Sequence, residues 1–326
     1  MTREPQSRTR PPVRRSALVA AGLVAGLLSV LGSAGAAQAR GPVAEAYDLP
    51  TDGIRLEGIG VDHRSGAIYV SATNRDGTIY RAMPGSDALE VWVGPQPGTN
   101  GRGIDVDGQG RVFVAGGPTG AVRVLASSGE VLAVLPTLAP GSFLNDVRVA
   151  RDGSAYVTDS SLPIIWRVRQ DGSGWLIEPW LDVARSIPYT PALTDFDLGG
   201  ITTTPGGEYL LVTQGTTGRL WRIGLADRSV TQIPVDGPAL VNADGIALRG
   251  HTLLVVQNFT RQISTLVLDE PWSAATTTRV TPTPSTRTFT TAKLVGGMLL
   301  AVDSTFGFAS APAADRVIAI PVATLR

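Results

Sequence analysis

The sequence predicts an all-β protein, and three observations lead to this prediction. The chain has 326 residues, of which 43% are hydrophobic and 17% charged, as in a globular domain rather than a disordered one. It contains 38 glycines and 23 prolines without a collagen-like period, a composition that suits many short strands joined by turns. Finally, one pattern of strands and turns recurs along the whole chain after the N-terminal segment.

The recurring pattern consists of a strand, a tight glycine-containing turn, a second strand, a longer loop and a third strand. Its first copy runs from Gly58 to Arg81 and turns at Ser65-Gly66, with alternating apolar residues typical of consecutive antiparallel hairpins. Successive copies are 45, 43, 54, 45 and 47 residues apart, which is the size of one propeller blade. The six copies start at Gly58, Gly103, Asp146, Gly200, Gly245 and Ala292. They predict a six-bladed β-propeller.

Each interval also leaves room for a fourth, outer strand, so we expect four-stranded antiparallel blades. Segments 89–93, 131–135 and 230–234 have the alternation of such strands. We expect residues 40–49 to complete the last blade, because closing the ring removes an exposed sheet edge.

The longest interval contains an insertion, from Ile187 to Asp197, directly before the fourth inner strand. An insertion at this position overhangs one mouth of the propeller. It is either a wall or lid of a binding site or a tolerated surface loop. If it forms a wall, we expect Tyr189 and Phe196 to contact an apolar part of the substrate, and Asp195 and Asp197 to contact a polar part.

The first 39 residues have the pattern of an export signal. Five arginines precede an apolar run from Ala17 to Leu31, and Ala37-Gln38-Ala39 fits a signal-peptidase cleavage site. We therefore expect a signal peptide cleaved after Ala39, export by the Sec or the twin-arginine route, and a single propeller domain over residues 40–326. An uncleaved anchor helix is the alternative.

Composition excludes several functional classes. Removing residues 1–39 leaves 23 basic and 27 acidic residues, a net charge of −4, so we expect a small-molecule substrate rather than nucleic acid. The absence of cysteine excludes disulfides and thiolate catalysis, and Lys293 is the sole candidate for Schiff-base chemistry. His63 and His251 fall in hairpin turns away from the predicted mouth, which excludes the usual Ser-His-Asp triad.

Candidate site residues open the inner strands, which converge at one mouth of a propeller. Carboxylates at a buried mouth are costly unless they are paired or bind a metal. Two carboxylates and an amide oxygen suit a hard divalent cation such as Ca²⁺ or Mg²⁺, on which water could attack an ester. The alternative is a buried ion-pair network in which an arginine neutralises the carboxylates. The residues at these equivalent positions are Glu57, Arg102, Asn145, Gly199, Asp244 and Thr291.

In these inner strands the chain resembles the family of senescence marker protein, gluconolactonase and luciferin-regenerating enzyme, which are six-bladed propellers with a divalent metal at the mouth. The resemblance extends from Glu57 to about Ile320 and rests on Leu56-Glu57-Gly58, Leu144-Asn145-Asp146 and Asp244-Gly245-Ile246. It implies that Glu57, Asn145 and Asp244 hold the metal, which would be Ca²⁺, Mg²⁺, Mn²⁺ or Zn²⁺, and that Asp244 is also the general base. The implied function is an exported lactone or ester hydrolase, in which we expect Arg102 to contact the substrate.

The sequence departs from the family's pattern in the fourth blade, where Gly199 stands in place of an expected asparagine. Asp195, Asp197 or a water would then substitute for this ligand, or the metal would be held weakly. Two alternatives to a metal-dependent hydrolase therefore stay open. One is a metal-independent enzyme that catalyses a non-hydrolytic step, such as cyclisation or condensation, as strictosidine-synthase-like propellers do. The other is a non-catalytic, ligand-binding propeller.

Overall fold

The recurring pattern folds into six antiparallel sheets arranged as the blades of a propeller, which confirms the predicted fold class. The computed structural model describes residues 43–189, 196–308 and 313–326. The predicted signal peptide, residues 1–39, and the candidate residue Asp195 lie outside the described residues. No helix among those residues is long and apolar enough to cross a membrane.

Each blade begins with its inner strand and proceeds outward, so that sequence order is also spatial order. The strand that precedes blade 1 is β1 (Ala46–Asp48). Blades 1 to 3 contain β2 (Leu56–Val61), β3 (Ile68–Ala72), β4 (Ile79–Ala82), β5 (Glu90–Val93), β6 (Ile104–Val106), β7 (Val112–Ala115), β8 (Ala121–Leu125), β9 (Val131–Pro136), β10 (Leu144–Val149), β11 (Ala155–Asp159), β12 (Ile164–Asp171) and β13 (Gly174–Asp182).

Blades 4 to 6 follow the same order, except that a short parallel strand, β18, joins the outer edge of blade 5. Their strands are β14 (Leu198–Thr203), β15 (Tyr209–Gln214), β16 (Arg219–Gly224), β17 (Val230–Ile233), β18 (Val235–Asp236), β19 (Ala243–Arg249), β20 (Thr252–Gln257), β21 (Gln262–Leu268), β22 (Ala275–Pro282), β23 (Thr288–Val295), β24 (Met298–Ser304) and β25 (Arg316–Pro321), followed by a 3₁₀ turn over Val322–Thr324.

The ring closes as the sequence predicts. Strand β1 pairs antiparallel with β25 and supplies the outer strand of blade 6, with Ala46 opposite Ile318. This pairing covers a sheet edge that would otherwise expose unpaired backbone groups. The last blade is therefore built from both ends of the described chain.

One apolar cluster fills each of the six interfaces between neighbouring blades. Burying a large apolar side chain stabilises a fold by about 1.5–3 kcal/mol, so these clusters hold the blades together in the absence of disulfides. Aromatic side chains at matching strand positions are buried there; they are Tyr69, Tyr80, Phe113, Tyr156, Trp166 and Trp221, with Tyr209 half-buried beside them.

In blades 1, 3, 4, 5 and 6 a two-residue bulge interrupts the pairing of the inner strand with the second strand near the mouth. In blade 2 the corresponding residues, Arg102 and Gly103, directly precede the inner strand. In blade 1 the bulge comprises Glu57 and Gly58. The second bulge residue packs against the next inner strand so closely that a Cβ on Gly58 would lie 2.0 Å from the carbonyl oxygen of Arg102. The first bulge residue is thereby directed toward the mouth.

This register corrects one prediction. In blade 6 the bulge comprises Thr290 and Thr291, so Thr290, and not Thr291, occupies the position equivalent to Glu57. The prediction was one residue off because the sixth copy has no glycine at the second bulge position to mark the register. A Cβ on Gly245 would lie 2.0 Å from Oγ1 of Thr291, which places Thr291 between the inner strands.

Candidate functional site

The start of the inner strands opens into a cavity of about 470 Å³, which we call the upper mouth. The first bulge residues of five blades and Arg102 of blade 2 line its floor, and the residues just before the inner strands and after the second strands form its rim. The predicted convergence of the inner strands at one mouth is therefore present. The floor residues are Glu57, Arg102, Asn145, Gly199, Asp244 and Thr290.

Hydroxyl groups fix the backbone of the floor. Ser71, on the second strand of blade 1, donates a 2.7 Å hydrogen bond to the carbonyl oxygen of Arg102 in blade 2. Thr158 makes the equivalent bond to Gly199 at 2.7 Å, and Thr290 donates to the carbonyl oxygen of Glu57 at 2.7 Å. These bonds end on backbone carbonyl groups of the neighbouring blade, and so they hold Arg102, Gly199 and Glu57 in place without using the side chains of these three residues.

Glu57 is a buried carboxylic acid without a hydrogen-bond partner at one oxygen. Glu57 is only 7% exposed, and its Oε2 has no hydrogen-bond partner among the described residues. Burial above all, together with the charges of Asp244 and Asp146, raises its pKa from 4.5 to about 8 against the opposing effect of the Arg102 guanidinium. A buried acceptor without a hydrogen-bond partner is costly, so this oxygen is suited to bind a proton or a cation.

Asp244 is the second carboxyl group of the floor. Burial, followed by the charge of Asp146, raises its pKa to about 7, whereas a hydrogen bond from Asn258 lowers it. Nδ2 of Asn258 donates to Oδ2 of Asp244 at 2.9 Å and so orients the carboxyl group. Sequence reasoning missed Asn258, although it directly follows the second strand of blade 5, where every blade returns to the mouth.

Arg102 lies beside these carboxyl groups without contacting them. Among the described residues, no ion pair within 4.0 Å joins it to Glu57 or Asp244, and its Nε has no hydrogen-bond partner. Its guanidinium carbon is 5.1 Å from the ring centre of Phe143 and 5.6 Å from that of Phe306. Rings at these distances hold a cation by cation–π attraction while its N–H donors stay available to a ligand.

Asn145 presents an amide oxygen to the floor. Its Nδ2 donates to Oγ of Ser160 at 2.8 Å, and Ser160 in turn donates to the carbonyl oxygen of Leu198 at 2.6 Å. Because the amide nitrogen is used inside the protein, the side-chain oxygen is the group left for a ligand.

Asp146, next in sequence, packs behind the floor and accepts bonds from the backbone N–H groups of Val147 and Ile201. Asp146 is buried, and its bond to Ile201 joins blade 3 to blade 4. Burial raises its pKa, and its charge contributes to the raised pKa of both floor carboxyl groups.

Four phenylalanines form an apolar rim above this polar floor. Phe143 and Phe196 meet edge-on with ring centres 4.9 Å apart, and Phe259 and Phe306 lie 6.1 Å apart on the other side. Phe196 is 47% exposed and Phe259 48% exposed. Of the four, only Phe196 was predicted from the sequence, because the others lie in loops whose conformation the strand periodicity does not determine.

The other insertion residues lie apart from the upper mouth as far as they are described. Ile187 is fully buried between blades 3 and 4, and the Tyr189 hydroxyl donates to the carbonyl oxygen of Asp159 at 2.7 Å. Asp197 is also fully buried, and its Oδ1 accepts bonds from Gln214 and Thr216. Neither Tyr189 nor Asp197 lines the cavity, so their predicted contact with substrate stays a prediction.

The oxygen donors of the floor fit a divalent cation. Glu57 has an unpartnered oxygen, and Asp244 and Asn145 add a carboxylate and an amide oxygen, the ligand types that Ca²⁺ and Mg²⁺ prefer. Within the described ranges no group of three His, Cys, Asp or Glu residues could hold a metal, and the floor offers two carboxyl groups and one amide instead. At Gly199 there is no side-chain donor, and Asp197 is committed elsewhere, so solvent would complete the coordination.

No protein-family model and no curated protein matches the sequence. Solved structures match it in fold. The calcium-binding protein regucalcin from Agrobacterium tumefaciens strain C58 is 15% identical, with a TM-score of 0.61 over 86% of this chain and 96% of that chain. A gluconolactonase from Xanthomonas campestris is 16% identical, with a TM-score of 0.57 over 86% and 99%. Virginiamycin B lyase from Staphylococcus aureus is 16% identical, with a TM-score of 0.58 over 76% and 77%.

These comparisons confirm the predicted similarity to gluconolactonase-type propellers at the level of the fold. The same fold is shared with a lyase, so it does not select a reaction. Function has to be argued from the residues of the upper mouth.

Proposed function

We propose that this protein is a hydrolase of esters or lactones that binds a divalent cation at the upper mouth through Glu57, Asn145 and Asp244. The observation that carries the proposal is the pair of buried carboxyl groups on the cavity floor, one with an unpartnered oxygen. A cation compensates both charges and so stabilises an arrangement that is otherwise costly. When bound, it would supply Lewis-acid polarisation of the ester carbonyl.

The chain's own residues then have distinct roles. Asp244 accepts the proton of the attacking water, and Asn258 holds its carboxyl group in one orientation through the 2.9 Å hydrogen bond. The Arg102 guanidinium, held between two rings, donates to the oxygen that becomes negative in the transition state.

The rim indicates the class of substrate. Four phenylalanine rings offer apolar surface, and the hydroxyl donors of Thr216 and Thr217 are used in bonds to Asp197 and Gln214. A polyhydroxylated sugar would therefore replace few of the hydrogen bonds to water that it loses on binding. An aliphatic or aryl chain instead gains from burial against the rings, at roughly 25 cal/mol per Å² of apolar surface. We therefore propose an amphiphilic substrate, with its ester or lactone group at the floor and its apolar body against the rim.

A second candidate is a metal-independent acid–base enzyme that catalyses a non-hydrolytic step. Two observations favour it: Gly199 offers no side-chain ligand, and Asp244 has a pKa of about 7. A carboxyl group with that pKa exchanges protons efficiently near neutral pH without a metal.

Chelation and mutation together distinguish the candidates. Turnover of a long-chain δ-lactone, an aryl ester and glucono-δ-lactone is measured before and after treatment with a chelator, and after return of Ca²⁺, Mg²⁺, Mn²⁺ or Zn²⁺. The hydrolase proposal expects loss and recovery of activity, preference for the apolar substrates, and a loss of about 10²-fold or more in Asp244→Asn. The control Asp171→Asn, at a carboxylate 68% exposed in an outer hairpin, should have normal activity.

Two results contradict the proposal. Activity that survives chelation but requires Asp244 supports the metal-independent enzyme. Saturable ligand binding without turnover of any substrate supports a non-catalytic propeller.

The N-terminal sequence leads us to propose export as well. Mass analysis of the mature protein outside the cell membrane tests this, since cleavage after Ala39 leaves Arg40 as the first residue. A cell-associated protein that retains residues 1–39 would contradict it.

A further inference from the structure

A second cavity lies at the opposite end of the inner strands, and we call it the lower mouth. It has a volume of about 590 Å³ and is lined by the last residues of the inner strands and by the hairpin turns that follow them. The two cavities share no lining residue. The lower mouth is therefore a separate place in the molecule, independent of the proposed reaction.

Lys293, the single lysine of the chain, lines the lower mouth. It lies on inner strand β23 and is 9% exposed, yet among the described residues it has neither a hydrogen bond nor an ion pair within 4.0 Å. The carboxyl group of Asp146 interacts with it at longer range. An ammonium group without a contacting partner on the wall of a cavity is accessible to an anion that enters the cavity, and such an anion would compensate its charge.

Three arginines surround the lower mouth in alternate blades. Arg64 and Arg151 lie in the turns after the inner strands of blades 1 and 3, and Arg249 is the last residue of the inner strand of blade 5. Each donates to a backbone carbonyl oxygen in the next blade. Because these partners are neutral, the three positive charges are not compensated by the contacts that hold them. The accepting carbonyl groups belong to Gly108, at 3.1 Å, and to Pro205 and Gly296.

The carboxylates of the lower mouth are already neutralised. Asp105 lies 3.5 Å from the guanidinium of Arg148 and accepts a 2.8 Å bond from the backbone N–H of Val149. Asp107 lies 2.5 Å from Nε of Arg111. With each carboxylate next to its own arginine, the lower mouth keeps an excess of positive charge.

We propose that the lower mouth binds a small anion with carboxylate or phosphate groups, which contacts Lys293 at the bottom of the cavity and Arg151 and Arg249 at its edge. All three side chains line the cavity. The threonines at positions 202–204, on the inner strand of blade 4 and the turn after it, line the same wall and carry hydroxyl groups that can donate to oxyanions. The volume accommodates an anion the size of citrate or a sugar phosphate.

Calorimetric titration of the purified protein with inorganic phosphate and with citrate, at low salt, tests the proposal. We expect saturable binding at one site, weakened by added salt and at least about tenfold weaker in Lys293→Met. Arg249→Gln should weaken binding severalfold. Arg279→Gln, an exposed arginine on the outer strand of the same blade, and Asp244→Asn at the upper mouth should bind as the wild type does.

The single lysine allows a second test that does not depend on a variant that folds. Pyridoxal 5′-phosphate and pyridoxal, each followed by borohydride, attach the same ring to Lys293, and mass spectrometry measures both rates. We expect faster labelling by the phosphate-bearing reagent and protection of Lys293 by phosphate or citrate. Equal labelling rates without protection, or anion binding that is the same in Lys293→Met and Arg249→Gln as in the wild type, would overturn the proposal.

Discussion

Replacing Glu57 by glutamine should make the metal-free protein more stable at pH 8 and leave its stability at pH 5 nearly unchanged. The folded protein retains a proton on Glu57 up to a pKa of about 8, whereas the unfolded chain loses it near 4.5. Between these values the unfolded state binds fewer protons, so the free energy of unfolding falls as the pH rises. Glutamine does not titrate and removes this loss.

The size of the effect follows from the same shift. At about 1.4 kcal/mol per pKa unit, a rise from 4.5 to about 8 sets an upper limit of about 5 kcal/mol at pH 8. Asp244 shares the charge, and water relaxation reduces the cost, so we expect a gain of about 2–4 kcal/mol at pH 8 and under about 1 kcal/mol at pH 5. Arg102 forms no contact ion pair with Glu57, so the variant breaks no such bond.

The measurement is urea denaturation in the presence of a chelator at both pH values, for wild type, Glu57→Gln and the control Glu130→Gln. Glu130 is exposed in the outer hairpin of blade 2, so its replacement should have no comparable effect. Saturating Ca²⁺ should reverse the order at pH 8, because it stabilises the form that binds it. A difference between wild type and Glu57→Gln that is the same at both pH values would refute the reasoning.

Three further predictions concern the mouth and its frame. Gly199→Asn should raise the affinity for a divalent cation about tenfold in calorimetry, because it adds an oxygen ligand where a Cβ would lie 3.2 Å from its nearest neighbour; Gly199→Ala should not. Phe259→Ala should raise KM for the apolar lactone by about tenfold with little change in kcat, since a lost aromatic contact of about 1–2 kcal/mol affects binding. Gly245→Ala should lower the free energy of unfolding by about 3 kcal/mol or more, because its Cβ would collide with Thr291 at 2.0 Å, whereas Gly199→Ala should fold normally.

The blades and five of the six floor residues could be predicted from the sequence because they depend on local pattern. Glycine at the second bulge position follows Glu57 and Asp244 and marks the register of those strands. In blade 6 that glycine is absent, and the predicted floor residue was Thr291 instead of Thr290. The register of a bulge depends on how neighbouring inner strands pack, which a strand pattern alone does not contain.

The rim and the partner of Asp244 could not be predicted for a different reason. Phe143, Phe259 and Asn258 lie in loops, and their approach to the mouth depends on loop conformation and not on alternation. In the insertion, the hydroxyl group of Tyr189 donates to the backbone of blade 3, so its predicted contact with substrate stays a prediction. The alternation of apolar residues predicts which face of a strand is buried, but it does not predict the direction of a side chain in a loop.

The backbone hydrogen bonds of the floor explain how this propeller accommodates Gly199 at the position where the sequence resemblance led us to expect an asparagine ligand. Thr158 bonds to the backbone carbonyl of Gly199, and Ser71 bonds to that of Arg102, so neither blade contact uses the side chain at the mouth. A change of side chain there alters the chemistry of the cavity at little cost to the fold, provided that the second bulge residue stays small. The fold should therefore tolerate an asparagine at position 199. We expect the substitution Gly199→Asn to change the affinity for a metal rather than the stability of the fold.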